Sequence, residues 1–129
     1  MVDSFYLCLT CGNIICKVVD SGVDPSCCGN TMLLLEPQYV DSLKEKHVPD
    51  VICSKDGMLN VRIGSLPHPM TNNHHIVFIA LERKDGVEIR ILDKESQEIP
   101  SASFCCDAED AVGVYCYCNL HGLWYLPLK

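Results

Sequence analysis

The sequence predicts an all-β protein in two parts, a small metal-stapled module followed by a β-sandwich. Three observations predict it. Short strand-like segments alternate with turn-forming residues along most of the chain. No stretch sustains a helical period. Cys8, Cys11, Cys27 and Cys28 crowd the first part, which is too short to offset its chain entropy without a staple.

Residues 1–36 form the first unit. Tyr6 opens a strand that leads to a Cys8-x-x-Cys11 turn, and residues 14–19 form a second strand. Ser21-Gly22-Val23-Asp24-Pro25-Ser26 has the composition of a loop. Cys27-Cys28-Gly29-Asn30 follows, then a short apolar run over residues 32–35. Residues 37–41, opened by Pro37-Gln38-Tyr39, read as a linker. Residues 42–129 form the second unit. Its strand candidates are residues 51–53, 60–63, 76–81, 87–92, 102–106 and 112–118. Lys55-Asp56-Gly57, Lys84-Asp85-Gly86 and Asp93-Lys94-Glu95-Ser96 separate them as turns. Many short strands with such punctuation argue for a sandwich. There is no internal repeat.

Composition narrows the function. Hydrophobic residues make up 48% of the 129, enough for a core, yet no apolar run approaches the ~20 residues of a membrane helix. The start, Met1-Val2-Asp3-Ser4, does not read as a secretory signal. A net charge of −7 disfavours nucleic acid and anionic membranes as partners. Ten cysteines would suit a secreted disulfide scaffold, but adjacent pairs (Cys27-Cys28, Cys105-Cys106) suit disulfides poorly. Metal-bound thiolates in a reducing cytoplasm are the better expectation.

The N-terminal cysteines supply four thiolates, and a tetrahedral four-sulfur set binds iron or zinc. A structural zinc knob is the bland alternative, although zinc ribbons favour Cys-x-x-Cys in both halves. Phe5-Tyr6-x-Cys8-x-x-Cys11-Gly12-Asn13-Ile14-Ile15, with Cys27-Cys28-Gly29-x-x-Met32, resembles desulforedoxin, a mononuclear iron module. The resemblance implies an Fe(Cys)4 centre that passes single electrons.

The histidines fall into three motifs around His47, His68 to His75, and Cys118-Asn119-Leu120-His121. Imidazole is the commonest borderline metal ligand and thiolate the soft one. Several His with one Cys do not make a closed structural zinc site; they suggest a redox iron centre. The bland reading is histidines scattered through surface and core. His74 and His75 open a strand, whose successive side chains point to opposite faces, so one of them reaches a given metal; spacing leaves open which. Glu45-Lys46-His47-Val48-Pro49, Ile63-Gly64-Ser65-x-x-His68-Pro69-Met70, His74-His75-Ile76 and Tyr117-Cys118-Asn119-Leu120-His121-Gly122-Leu123-Trp124 resemble the neelaredoxin-like superoxide reductase domain. With the first module, nearly the whole chain resembles desulfoferrodoxin, the two-iron form.

That resemblance implies an immunoglobulin-like sandwich, with His47, His68, His74 and His121 as equatorial ligands of a second iron and Cys118 as its axial sulfur. His75 is then a non-ligand. It implies one-electron reduction of superoxide to hydrogen peroxide without dismutation, a rubredoxin-type electron donor and a homodimer. Lys46 becomes the candidate for steering the anion, against the ordinary reading of a solvated lysine. Glu45 resembles the family's mobile carboxylate and reads equally as a plain loop acid. Two other readings stand beside this one: an electron-transfer protein with a closed second iron, and a zinc-loaded structural module. Phe78 and Ala80 stand where relatives commonly carry Trp and Glu, which predicts altered packing, and Asp50 replaces a usual apolar residue. Cys16, Cys53, Cys105, Cys106 and Cys116 have no assigned ligand role and read as buried small hydrophobes, Cys116 facing the same side of its strand as Cys118.

Overall fold

The computed structural model describes residues 4–39, 47, 49–53, 56–64, 68–95 and 99–128. The chain divides into two compact units, Met1–Glu36 and Pro37–Lys129. All the extended elements are short antiparallel strands, and among the described residues no helix is long and apolar enough to cross a membrane.

In the first unit β1 (Ser4–Leu7) lies between β2 (Ile14–Lys17) and β5 (Leu33–Leu34). β2 stops short of the predicted residue 19, and Val18 and Val19 are exposed. β3 (Ser26–Cys27) and β4 (Asn30–Thr31) form a separate two-stranded hairpin. Its turn is Cys28-Gly29, with φ of 53° and 79°. Positive φ at both central residues is the signature of a two-residue hairpin turn whose twist suits the flanking strands. Gly29 meets it at no steric cost, whereas Cys28 meets it as a non-glycine residue in the left-handed region. This is how contiguous cysteines present two sulfurs to one place. The unit buries Phe5, Tyr6, Cys8 and Met32, with Cys27 packed on the last three, a small core in part built around the cysteines.

The second unit is an immunoglobulin-like sandwich. One sheet runs β10 (Ser101–Cys105), β7 (Met58–Ile63), β6 (Pro49–Cys53); the other runs β12 (Gly122–Pro127), β11 (Ala111–Cys118), β8 (Ile76–Arg83), β9 (Gly86–Ile91). β7 alternates as a half-buried strand should: Leu59, Val61 and Ile63 are buried, Asn60 and Arg62 exposed. Those three pack with Phe104 from β10 and with Ile79, Leu81, Val114, Cys116, Cys118 and Trp124 of the facing sheet. Each large aliphatic side chain so buried contributes about 1.5–3 kcal/mol of transfer free energy. Pro49 and Pro127 sit at ends of the edge strands β6 and β12, where a missing N–H does least harm.

β8 is the strand that positions the site. Its middle is buried on both faces, and its register against β11 shifts by one residue between Tyr117↔Phe78 and Cys118↔Ile76. A bulge of this kind flips the alternation. Ile76 therefore shares the core face with Ile79 and Leu81, opposite Cys118. On the other face Phe78 stacks on Tyr117 at 5.8 Å between centroids and 11° between planes. Gln38, in the predicted linker, is bonded into the second unit: its N–H donates to the Leu123 carbonyl and its carbonyl accepts from the Tyr125 N–H. β12 itself was not among the strands read from the sequence.

Candidate metal centres

Two groups of metal-ligating side chains converge, and they are the two sets singled out in the sequence. Within each, the donor atoms lie within 4.8 Å of one another.

In the first, Cys8, Cys11, Cys27 and Cys28 come together. The Cys8-x-x-Cys11 turn is closed by the Gly12 N–H on the Cys8 carbonyl (2.9 Å) and the Cys8 N–H on the Asn13 carbonyl (2.8 Å). The Cys11 N–H points at Cys8 Sγ (3.4 Å), and Asn13 Nδ2 donates to Cys27 Sγ (3.6 Å). Cys11 and Cys27 sulfurs are 3.6 Å apart, those of Cys27 and Cys28 3.9 Å. A metal about 2.3 Å from each sulfur in a tetrahedron would set them about 3.8 Å apart. The Cys11 N–H lowers the Cys8 thiol to about 6. Its neighbour Cys28 is pushed up to about 12, chiefly by its hydrogen bond to Cys11. Without a cation, one thiolate forms readily and its neighbours resist ionising; a cation between the sulfurs removes that conflict.

In the second group four imidazoles form a closed ring. His47 meets His68 at 4.9 Å and His121 at 4.7 Å between centroids; His74 meets His68 at 4.7 Å and His121 at 4.9 Å. Every one of these contacts is edge-to-face, with interplanar angles of 68–80°. His47 Nε2 lies 3.0 Å from His121 Nδ1. Two nitrogens about 2.1 Å from one ion and at right angles would be about 3.0 Å apart. His68 donates Nδ1–H to the Pro69 carbonyl (2.7 Å), which leaves the lone pair on Nε2. That nitrogen is buried and has no hydrogen-bond partner among the described residues, a state that costs free energy unless something binds there. Burial holds His68 down to about 4, so its imidazole is neutral at pH 7. Cys118 is fully buried at the end of β11, its sulfur 3.7 Å from His121 Nδ1. Burial pushes its thiol up, and the backbone N–H groups of Leu120 and His121 oppose that. His47 and His68 are buried, His74 half-buried and His121 exposed, so the ring lies nearest the surface at His121.

His75 is turned away. Its Nδ1–H donates to the Thr71 carbonyl (2.9 Å), and its N–H donates to Asn119 Oδ1 (2.9 Å). Asn119 also donates Nδ2–H to the Asn73 carbonyl (3.0 Å), clamping the His74 loop to the Cys118–His121 turn. Gln38 supports the same turn, donating Nε2–H to the His121 carbonyl (2.7 Å). Sequence reasoning missed Asn119 and Gln38; Asn119 lies inside a motif already singled out, while Gln38 is 83 positions from its acceptor and gives no local signal. Glu45 and Lys46 lie outside the described residues. None of the ten cysteines, all of them described, is in a disulfide. Of the five without a ligand role, Cys106 and Cys116 are buried as expected, Cys16 is partly buried, and Cys53 and Cys105 are exposed; both lie on edge strands, and Cys105 points away from the core next to the buried Phe104.

The family model for desulfoferrodoxin matches residues 39–126. The chain belongs to the desulfoferrodoxin family. A "Desulfoferrodoxin homolog" of Archaeoglobus fulgidus is 42% identical over 124 residues, covering 95% of both chains. The desulfoferrodoxin of Nitratidesulfovibrio vulgaris is 40% identical over 119 residues, 92% of this chain and 91% of that one. Among solved structures, the superoxide reductase from Treponema pallidum superposes with a TM-score of 0.80 at 27% identity, covering 97% of this chain and 98% of that one. The four-cysteine group and the group of four histidines and one cysteine match the two iron sites of the desulfoferrodoxins. Both donor sets fit iron: all-thiolate in one, imidazoles with one thiolate in the other.

Proposed function

We propose that the chain is a superoxide reductase: superoxide takes up one electron and two protons and leaves as hydrogen peroxide, without release of oxygen. The observation that carries this is the closed ring of four imidazoles, its His121 exposed, beside the buried Cys118. Likeness to the Treponema pallidum superoxide reductase supports it. Cys8, Cys11, Cys27 and Cys28 would hold one iron, and His47, His68, His74, His121 and Cys118 the other. The iron of the second set supplies the single electron when bound.

The chain's own residues do the rest. The Pro69 carbonyl fixes the tautomer of His68, so this ligand presents a lone pair instead of a proton. The N–H groups of Leu120 and His121 hold the Cys118 thiolate and moderate the electron density it donates. The exposed side of the ring, at His121, gives a small anion access and water a route for protons. Lys46, next to His47, attracts superoxide to a chain whose net charge of −7 repels it. Glu45 would supply a carboxylate to the same site. The four-cysteine unit serves as a store of one electron, refilled by a small rubredoxin-type donor; the protein works as a cytoplasmic homodimer.

The test is a yield. With the iron-loaded full chain and a chemical reductant, one peroxide per superoxide and no oxygen are expected. Half a peroxide with half an oxygen would mean dismutation, and no consumption of superoxide would leave a closed electron-transfer centre.

A further inference from the structure

His47 precedes every strand of the sandwich in sequence, and the fold holds it in a way the ligand set does not require. Cys116 and Trp124 are register partners across β11 and β12. Both face the core, at 0% and 5% exposure. Cys116 donates its S–H to the backbone carbonyl of His47 (3.2 Å), a bond buried throughout and 69 residues long in sequence. Trp124 lies flat on the His47 ring, 5.0 Å between centroids and 15° between planes. The indole Nε1 is buried and makes no hydrogen bond among the described residues, so what Trp124 contributes here is its face. One side chain thus fixes the backbone of the ligand and its cross-strand partner fixes the ring. Gln38 is bridged to Trp124, so Trp124 meets both Gln38 and His47.

We infer that the Cys116–Trp124 pair is a seat that positions His47 toward the metal, acting through this ligand and not as ligands themselves. This rests on His47 belonging to the iron site. It gives Cys116 a role that neither packing nor ligation describes. Without the S–H bond the His47 carbonyl loses its buried donor, and the ring is held less closely to the His121 nitrogen. Partners that orient a ligand typically contribute about 10–100-fold to metal affinity.

The test is a cobalt(II) titration of the full chain after metal removal, against a competing chelator. It is followed in the thiolate charge-transfer region, where the four-sulfur and one-sulfur sites differ in intensity. Cys116→Val keeps the packing and loses the donor; it is expected to weaken the His/Cys site about tenfold or more and leave the four-cysteine site unchanged. Cys116→Ser keeps a donor and is expected to rescue most of that loss. Trp124→Phe, which keeps a flat ring, should bind more tightly than Trp124→Leu. Affinity equal to the parent in Cys116→Val, or an equal loss in Cys116→Ser, overturns the seat. His47→Ala separates the two levels: if it binds cobalt as the parent does, the ligand assignment falls and the seat with it; if it loses binding while Cys116→Val does not, only the seat falls.

Discussion

At His68 a single side chain is prepared for its work before any metal arrives. Burial holds its imidazole down to about 4 against an ordinary 6.5, so between those values the unfolded chain binds a proton that the folded chain refuses. Stability then rises with pH across that window and is lost as pH falls. The metal-free protein should therefore show a urea midpoint that drops from about pH 6.5 toward about pH 4, and a His68→Phe variant should show a shallower drop. An unchanged slope in the variant would place the titration elsewhere. In the proposed function Lys46 acts at the same scale, by charge alone. Lys46→Ala should slow the second-order reaction with superoxide about tenfold at low salt and flatten its ionic-strength dependence; stopped-flow rates at two salt concentrations check it, and an unaltered salt dependence would rule steering out.

Between residues and the whole stand the strands β11 and β12, which hold Cys118 and Trp124 in place. Gly113 on β11 pairs with both Glu82 and Pro127, and its missing side chain lets Tyr125 reach across to donate its O–H to the buried Glu82 (2.6 Å). A Cβ at Gly113 would run into the Tyr125 ring and hydroxyl. Gly113→Ala should therefore cost about 2–3 kcal/mol, from overpacking and from a buried carboxylate that loses its donor, read as a lower thermal midpoint; a midpoint equal to the parent would mean the ring shifts freely. Several strands were legible in the sequence because their alternation survives, β7 most plainly. β12 was not: Gly122 to Pro127 has apolar residues on both faces and ends in proline, a pattern without period 2. The five-donor set was legible as motifs plus family resemblance, since spacing alone left His74 and His75 undecided. What separates them is how the loop ahead of β8 is tied, His75 being bonded to Thr71 and to Asn119, and a partner 44 residues away leaves no mark beside either histidine. The Cys116–Trp124 seat was illegible for the same reason, being made of residues far apart in the chain.

For the whole molecule, the two units differ in what keeps them folded. The second unit buries two facing sheets of aliphatic and aromatic side chains, while the first buries little more than Phe5, Tyr6, Met32 and Cys8. Stripping metal from the full chain should collapse the amide dispersion of residues 4–36 in a nitrogen–proton NMR spectrum and leave that of the sandwich largely in place. Persistence of the first set would show that the module stands without its staple. Cys118 is, centrally, the one sulfur of a second iron distinct from the iron of the four cysteines. The visible spectrum and iron content of Cys118→Ser, beside those of the parent, test this most directly. Two iron per parent chain with two thiolate-to-iron bands are expected, and in the variant the loss of one band with the four-cysteine band intact. An unchanged spectrum in the variant, or a colourless zinc-loaded parent, would contradict it.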